Sequence, residues 1–437
     1  MSRFQQIKRI AGWAIVGIFS LLIITFIVIT GPAWWSKWVT YPKLEKERAA
    51  LWAKYKSPEK LIEQTDYQGV LHAHSYWSHD SRGVIKEILP AAQQAELDFI
   101  FLSDHIRNKL DSFPRGYHGN YDGVIIEAGT ESKNIMVTPM QEEVLDWNQD
   151  ESQLIKDVVA NGGMVTYVHS EEPHNWADPN YQTMEIYNIH TDLLDEESIL
   201  PFMINMAVNK KDYRHWAYRE LYDEQSAILA HWDSLNQTRQ IVGIAAVDAH
   251  NNQSFRARHT DNGMVEWVGP NAKTLEITEP GWKEKLLLSE PDVTGWKFKW
   301  EVDTYFHSFN YVNTHVFSDT LSNTAIKDNI VAGHAYISFE SLAEAQGFQF
   351  VAQDDRGEVN AIMGDSVAID SATMLRAVSP LPVRFELFQD GMMIDQIGDQ
   401  YTYQYQPVSA GNYRVVARIK LDRGWVSWIM TNPIYIY

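Results

Sequence analysis

The strongest constraint in this sequence is a series of short apolar runs, each ending in histidine or acidic residues. Between Tyr67 and about Thr278 these runs alternate with helix-like stretches, which is typical of βα units around a parallel sheet. The carboxyl ends of parallel strands meet at one edge of a sheet, where active sites assemble. We therefore expect the strand-end side chains to converge. They are His72, His74, Asp104, His105, Glu131, His169, His190, Asp248 and His250.

Two of these motifs have a spacing that suits a shared metal ion. Residues i and i+2 of a strand point to the same face, so His72 and His74 can bind one ion. Asp248 and His250 repeat this geometry. A single pair of this kind is more often a hydrogen-bonded surface or core feature. The convergence of six strand ends is what predicts a multinuclear metal site.

Adjacent residues behave differently, because Asp104 and His105 point apart if their strand is regular. We predict that His105 is a ligand and that Asp104 orients a neighbouring imidazole. The chain contains no cysteine, so any metal must be held by nitrogen and oxygen atoms. Such a donor set favours Mn²⁺, Fe²⁺ or Zn²⁺ over Ca²⁺ or Mg²⁺.

The expected chemistry is hydrolysis. Two ions about 4 Å apart would present a bridging hydroxide to a phosphorus or carbonyl centre and stabilise the attacking and leaving oxygens. No protein nucleophile is then needed, which fits a chain without cysteine, a Gly-x-Ser-x-Gly elbow or a glycine-rich phosphate loop. The formal net charge of -20 argues against nucleic acid or an anionic membrane surface as a partner.

The N-terminal region contains an uncharged run from Ile10 to Thr30 that is long enough to cross a hydrocarbon layer of roughly 30 Å. Basic residues precede the run and Trp34 follows it, which predicts a single-pass protein with a cytoplasmic N-terminus. The globular part is then extracytoplasmic, in the periplasm or at the cell surface. A cleaved signal peptide is the alternative, but the run is longer than usual and Ala33 ends a poor cleavage site.

The 437 residues exceed the size at which one core keeps growing, so we expect more than one globular domain. From about Gly347 onward the pattern indicates strands and turns only, with Asp390-Gly391 as a hairpin turn. The predicted segments are a cytoplasmic N-terminus (1–9), a transmembrane anchor (10–30), a juxtamembrane helical stalk (31–66), a metallohydrolase domain (67–340) and an antiparallel β-sandwich (341–437).

The order of the motifs resembles the PHP superfamily, named for polymerase and histidinol phosphatase domains. The motifs are His72-x-His74, Ser78-His79-Asp80-Ser81, Ser103-Asp104-His105, Gly129-x-Glu131, His169 and Asp248-x-His250. The Ser78 to Ser81 motif and the ending Trp428 to Tyr437 look most like the branch with carbaryl-type hydrolases and membrane-anchored members. The resemblance covers roughly Tyr67 to the C-terminus.

The resemblance implies a distorted (β/α)7 barrel of the PHP type holding two or three divalent metal ions. By motif, the first ion would take His72, His74, Glu131 and Asp248; the second Asp80, His105 and His250 with Glu131 bridging; and a third His169 and His190. This chain has Ser-His-Asp where the superfamily has Ser-Asp-Gly, so His79 and Asp80 compete for one ligand role. The candidate catalytic residues are Asp104, Glu131 and His250.

The resulting hypothesis is a metal-dependent phosphoesterase acting on a small-molecule or lipid-linked phosphomonoester or phosphodiester. Arg107 and Arg256 follow ligand motifs closely enough to bind an anionic substrate. Hydrolysis of an ester, amide or carbamate on the same metal centre is one alternative. A non-catalytic, metal-stabilised surface protein that binds a partner is another. The sequence leaves the oligomeric state open.

Overall fold

The computed structural model describes residues 3–106, 113–140, 145–194, 198–370, 372–422 and 424–437, with the backbone only at residues 3–8, 10, 11 and 194. The helices are α1 (Arg3–Trp35), α2 (Tyr41–Trp52), α3 (Ile85–Gln94), α4 (Glu151–Ala160), α5 (Ile189–Leu194), α6 (Ile199–Asn209), α7 (Arg214–Arg219), α8 (Ser226–Asn236), α9 (Trp282–Leu287), α10 (Tyr305–Phe309) and α11 (Asn323–Ala332). A π-helical turn, Ser36–Thr40, joins α1 to α2.

The strands make the fold a mixed α/β one. They are β1 (Thr65–Ala73), β2 (Phe99–Leu102), β3 (Asp104–His105), β4 (Gly119–Tyr121), β5 (Val124–Glu127), β6 (Thr130–Ser132), β7 (Ile135–Thr138), β8 (Met164–Tyr167), β9 (Thr183–Asn188), β10 (Val242–Ala249), β11 (Ser254–His259), β12 (Val265–Val268), β13 (Thr274–Thr278), β14 (Phe298–Glu301), β15 (Asn313–Ser318), β16 (Ala335–Ser338), β17 (Gln349–Gln353), β18 (Val359–Ile362), β19 (Ser366–Val367), β20 (Met374–Gln389), β21 (Met392–Tyr405), β22 (Gly411–Leu421), β23 (Gly424–Thr431) and β24 (Ile434–Ile436).

The described chain forms two compact units. The first is drawn from the ranges 1–47 and 195–222, and the second from 48–194 and 223–437. The second unit contains all of the strands. The boundary that we predict between a metallohydrolase domain and a sandwich at residue 341 falls inside this unit and stays a prediction.

Parallel strands surround β1, which lies between β2 and β10. On one side β10, β9 and β8 pair in parallel, and on the other β2 pairs with β5 and β3 with β6, also in parallel. Apolar side chains of these strands, such as Leu71, Phe101 and Ile244, are fully buried in one hydrophobic cluster. The strand ends that carry polar residues are therefore brought side by side, as the sequence pattern predicts.

The distorted (β/α)7 barrel implied by the resemblance is not shown by the structure. Strand β7 pairs antiparallel with both β6 and β8, so a hairpin interrupts the succession of parallel strands. Strand β15 also runs antiparallel to β1, and β11 to β14 form a separate four-stranded antiparallel sheet. The sheet is mixed: parallel pairs lie among the strands around β1 and between β19 and β24, and the other pairs are antiparallel.

The C-terminal region is a sheet built almost entirely of antiparallel pairs. Strand β20 pairs with β17, β21 and β22, and β22 pairs with β23 and β24. Asp390 and Gly391 form the turn between β20 and β21, both with positive φ (51° and 82°), which is the geometry of a tight hairpin. Strand β23 also pairs with β16, which joins this sheet to the rest of the unit.

The first unit is helical and contains the predicted anchor. Within the described residues, the stretch Gly12–Trp52 is long and apolar enough to cross a membrane, and its most apolar window has no buried residue. Helix α6 packs against the C-terminal end of α1, and α7 packs on α6. Ala33 and Tyr41 are buried within this unit, whereas the apolar side chains from Trp13 to Ile29 are exposed.

Candidate metal centre

The end of β1 is bent at the first histidine of the site. His72 adopts φ 61°, and the pairing of β1 with β2 and β10 shifts between Leu71 and Ala73. His169 and Asp248 also have positive φ, at 51° and 42°. Left-handed backbone at a residue other than glycine costs on the order of 1–3 kcal/mol, and such strain clusters at functional sites. Three predicted ligands thus occupy conformations that the surrounding fold must hold in place.

Glu131 lies among four histidines. Its Oε2 atom is 2.8 Å from Nε2 of His72 and 3.4 Å from Nε2 of His74, and 3.8 Å from Nδ1 of His105. Its Oε1 atom is 3.6 Å from Nε2 of His169. The carboxylate is buried, so it bridges these rings inside the protein.

Asp248 occupies a similar position on β10. Its Oδ1 atom lies 3.2 Å from Nε2 of both His72 and His74 and 3.4 Å from Nδ1 of His250. Its Oδ2 atom is 3.6 Å from Nδ1 of His190, whose side chain is 44% exposed. The two carboxylates of Glu131 and Asp248 therefore face the same pair of buried histidines from different strands.

His79 and Asp80, the two candidates for one ligand role, lie at different distances from the other candidate ligands. Oδ2 of Asp80 is 3.2 Å from Nε2 of His250 and 3.6 Å from Nε2 of His105. His79 is exposed, and its ring lies beside that of His105 with the centroids 5.1 Å apart. The structure brings the carboxylate of Asp80, rather than the His79 ring, into a group with His74, His105 and His250.

Three adjoining groups of side chains could each hold a metal ion. They are His74 with Asp80, His105 and His250; His72 with His74 and Glu131; and His72 with His169 and Asp248. In each group the potential ligand atoms lie within 4.8 Å of one another. The candidate ligands in these groups are His72, His74, Asp80, His105, Glu131, His169, Asp248 and His250, whereas His79 and His190 are in none of the three.

The donor set fits divalent ions. Two ligand atoms about 2.0–2.2 Å from one ion lie about 2.8–3.6 Å apart in octahedral or tetrahedral geometry. The distances from the histidines to Glu131 and Asp248 cover this range, from 2.8 Å for His72 and Glu131 to 3.8 Å for His105 and Glu131. In addition, Nδ1 of His74 is buried and has no hydrogen-bond partner among the described residues. A buried nitrogen atom without a hydrogen-bond partner lowers the free energy of unfolding, so a ligand for it would stabilise the protein.

The electrostatics of the site favour positive charge. Burial acts to lower the pKa of His72, but the carboxylates of Glu131, Glu185 and Asp248 outweigh it and hold this pKa well above its usual value. Burial raises the pKa of Glu131, but His72 and His74 together hold it well below its usual range. His105 differs, because burial and the charge of His74 lower its pKa to about 4. Its ring is therefore neutral at physiological pH, as a ligand must be.

Glu185 lies behind His72 and is not among the site residues predicted from the sequence. Its Oε1 atom is 2.5 Å from Nδ1 of His72, and its Oε2 atom accepts hydrogen bonds from the His169 backbone N–H and from Nδ2 of Asn188, each 2.8 Å long. A carboxylate on the far nitrogen of a ligating histidine fixes the ring orientation and tautomer. The available signal was an acidic residue within the apolar run that became β9.

Asp104 acts on the residue that follows His74. Its Oδ1 atom accepts a hydrogen bond from the Ser75 backbone N–H, and its Oδ2 atom accepts one from the Ser75 hydroxyl. Burial raises the pKa of this carboxyl group. The contacts with Ser75 hold the loop after β1, and Tyr305 supports the same loop by donating its hydroxyl proton to the His74 carbonyl oxygen at 2.6 Å.

Of the two predicted substrate-binding arginines, Arg256 is among the described residues and Arg107 lies outside them. Arg256 is 1% exposed, and its Nη2 atom is 2.6 Å from Oε1 of Glu301 and 3.1 Å from the Asn251 carbonyl oxygen. Glu87 lies 3.6 Å from its Nη1 atom. The guanidinium is thus engaged in an ion-pair network within the protein.

Comparisons with known proteins add little to this geometry. Neither the protein-family models nor the curated proteins contain a match. Among solved structures, a two-domain protein of Bacteroides vulgatus ATCC 8482, described as containing a predicted PHP-like metal-dependent phosphoesterase, matches 86% of this chain and 98% of its own, with a TM-score of 0.37 and 10% identity. A calcium-binding mutant of Bacteroides uniformis beta-glucuronidase 2 matches 87% of this chain and 46% of its own, with a TM-score of 0.16 and 9% identity. Neither likeness is close enough to carry an argument about this chain.

Proposed function

We propose that this chain is a membrane-anchored, metal-dependent hydrolase of the PHP type that cleaves phosphomonoesters or phosphodiesters. The observation that carries the proposal is the convergence of histidines and carboxylates from the ends of five strands, β1, β3, β6, β8 and β10, into three adjoining groups. His72 and His74 each belong to two of these groups. When bound, divalent ions at such a site activate water and stabilise charge on the oxygens of the reacting centre. The distorted seven-stranded barrel, the number of ions and their identity as Mn²⁺, Fe²⁺ or Zn²⁺ belong to the same proposal.

The residues have distinct roles in this proposal. Glu131 would hold ions together with the surrounding histidines, because its Oε2 atom faces His72 and His74 and its Oε1 atom faces His169. Asp104 is a positioning residue that fixes the loop after His74 through Ser75. Substrate enters at the side of His190, whose side chain is 44% exposed, compared with 25% for His105 and 16% for His169. His250 contacts both Asp80 and Asp248 and is the candidate catalytic residue between the groups.

The anchor belongs to the proposal as well. Helix α1 supplies the membrane span, with a cytoplasmic N-terminus and an extracytoplasmic globular part in the periplasm or at the cell surface. The uncharged run from Ile10 to Thr30 and the basic residues before it support this orientation. A phosphate ester held near the bilayer, including a lipid-linked one, is the corresponding class of substrate.

The test uses the full chain purified in detergent, stripped of metal with a chelator and reloaded separately with Mn²⁺, Zn²⁺ or, under reducing conditions, Fe²⁺. Substrates are p-nitrophenyl phosphate and bis(p-nitrophenyl) phosphate, with p-nitrophenyl acetate and an aryl carbamate in parallel. We expect metal-dependent cleavage of a phosphate ester that is lost in Asp248→Asn and retained in Glu63→Gln, a change at a carboxylate that is 89% exposed. Cleavage confined to the acetate or carbamate would refute the phosphoesterase assignment.

A further inference from the structure

Helix α6 buries both of its polar side chains, together with Phe202 and Met206, and exposes apolar side chains on its other side. Its polar side chains, Asn205 and Asn209, are 4% and 0% exposed, whereas Ile199 and Leu200 are 48% and 59% exposed. A surface helix in water buries its apolar stripe and exposes its polar face. The helix is therefore oriented for surroundings that are less polar than the protein surface against which it packs.

Hydrogen bonds hold this orientation in place. Nδ2 of Asn209 donates to the Ala33 carbonyl oxygen at 3.0 Å and to Oδ1 of Asn205 at 2.6 Å. Nδ2 of Asn205 donates to the Tyr41 hydroxyl oxygen at 2.5 Å, and that hydroxyl donates to Oε1 of Glu220 at 2.6 Å. Since residues four apart share one face of a helix, both asparagines fix the same side of α6 against the end of the anchor.

The opposite side of α6 is a continuous apolar stripe without a hydrogen-bonding side chain. It consists of Ile199, Leu200, Met203, Ile204 and Ala207, which are exposed or half-buried. Offsets of 0, 1, 4, 5 and 8 residues place these side chains along one helical face. Such a stripe fits a hydrocarbon environment and offers nothing for polar recognition.

Helix α6 packs against α1, and three exposed tryptophans follow the predicted membrane span. Trp34, Trp35 and Trp38 follow the apolar run and are 37%, 65% and 70% exposed. Exposed tryptophans at this position are typical of the layer between hydrocarbon and water. The charge of Lys37 is paired within this unit. Its Nζ atom lies 3.0 Å from Oδ2 of Asp212 and 3.2 Å from the Val208 carbonyl oxygen.

We propose that α6 lies in the interfacial layer of the bilayer that α1 crosses, with its apolar stripe against lipid. The chain would then touch the membrane through two segments separated by more than 150 residues, and the second would be an interfacial helix held to the anchor by buried asparagines. The inference rests on the membrane anchor of the proposed function and not on the reaction catalysed.

The experiment uses the absence of cysteine from the chain, since a single introduced cysteine carries the only nitroxide label. Leu200→Cys and Ala207→Cys are prepared in the full chain, labelled and reconstituted in phosphatidylcholine vesicles. Ile23→Cys is the hydrocarbon reference and Lys211→Cys, at an exposed position, the aqueous reference. We expect oxygen to relax the labels at 200 and 207 more strongly than a water-soluble nickel chelate does, as at 23, with the reverse order at 211.

The outcomes separate this inference from the anchor itself. A lipid-like label at Ile23 with water-like labels at Leu200 and Ala207 overturns the seating of α6 and leaves the anchor standing. A water-like label at Ile23 overturns both. Dipolar coupling between labels at Leu200 on two copies, if it persists on dilution with excess lipid, shows that a second chain covers the stripe and also overturns the proposal. Each labelled variant must retain the thermal unfolding midpoint of the unlabelled chain.

Discussion

Replacing Glu185 with glutamine tests whether the carboxylate behind His72 controls the metal centre. The change keeps the size of the side chain but leaves one acceptor oxygen in place of two. In the structure, those oxygens meet His72, the His169 backbone N–H and Asn188. In Glu185→Gln the new amide N–H₂ group must face one side of this set. With a metal on Nε2 of His72, the proton is on Nδ1, so at least one contact then becomes donor against donor.

The expected loss is measurable in two quantities. Changing a carboxylate behind a ligating histidine typically weakens metal binding 10- to 100-fold, which corresponds to about 1.4–2.7 kcal/mol. Losing a hydrogen bond to a charged group costs the metal-free protein about 1.5–3 kcal/mol of unfolding free energy. Metal affinity is measured on the full chain in detergent by competition with a chromogenic chelator, and stability by unfolding of the metal-free protein.

A matched control separates a specific effect from general destabilisation. Glu127 is also a buried carboxylate at the end of a strand and contacts a histidine, with its Oε1 atom 3.2 Å from Nδ1 of His118. We expect Glu127→Gln to lower stability by a similar amount and to leave metal affinity unchanged. The reasoning is refuted if folded Glu185→Gln binds metal as tightly as wild type, or if both variants lose affinity equally.

Three further predictions concern single residues. Asp80→Ala should lose the ion held with His105, with less metal per chain by elemental analysis and lower activity, while His79→Ala should keep both; equal values in the two variants would contradict the assignment. Burial lowers the pKa of His315, but Asp66 and hydrogen bonds to carboxylates raise it to about 10. Its stabilisation should be complete below about pH 6.5 and fall by up to about 1.4 kcal/mol per pH unit as the pH rises towards 10, a slope that urea unfolding should show to be absent in His315→Gln. Arg256→Met should cost about 1–3 kcal/mol in unfolding free energy, because the half-buried carboxylate of Glu301 loses its guanidinium partner, while Glu87 keeps Lys299; a raised KM for phosphate esters at unchanged stability would instead indicate substrate binding.

The convergence of the site could be predicted from the sequence because it depends on topology. Parallel strands place their carboxyl ends together, and β1 and β10 are neighbours, so the His72 and Asp248 motifs come side by side. The turn at Asp390 and Gly391 was predictable for a local reason, since these residue types tolerate positive φ. Periodicity and turn chemistry act over a few residues and can therefore be read without tertiary information.

Features that depend on distant contacts could not be predicted in this way. The regular-strand argument for His72 and His74 omits the backbone shift at His72, which depends on pairing with two neighbouring strands. Arg256 follows a ligand motif in sequence, but β11 pairs with β14 and brings Glu301 to its guanidinium. A buried glutamate such as Glu185 signals a partner, because a buried charge requires one. Which partner it has is decided by the register across strands.

Residues 195–222 belong to the same compact unit as the predicted anchor, so the N-terminal segment is part of a folded unit. A fragment that begins near Tyr67 would keep α6 and α7 but remove Ala33 from Asn209 and Glu45 from Trp216, whose Nε1 atom donates to it at 2.9 Å. The predicted anchor could therefore not be replaced by the apolar helix of another protein without loss of these contacts. Replacing or removing α1 and α2 would leave α6 and α7 without the segments against which they pack, and substitutions in the two segments should therefore occur in matched pairs.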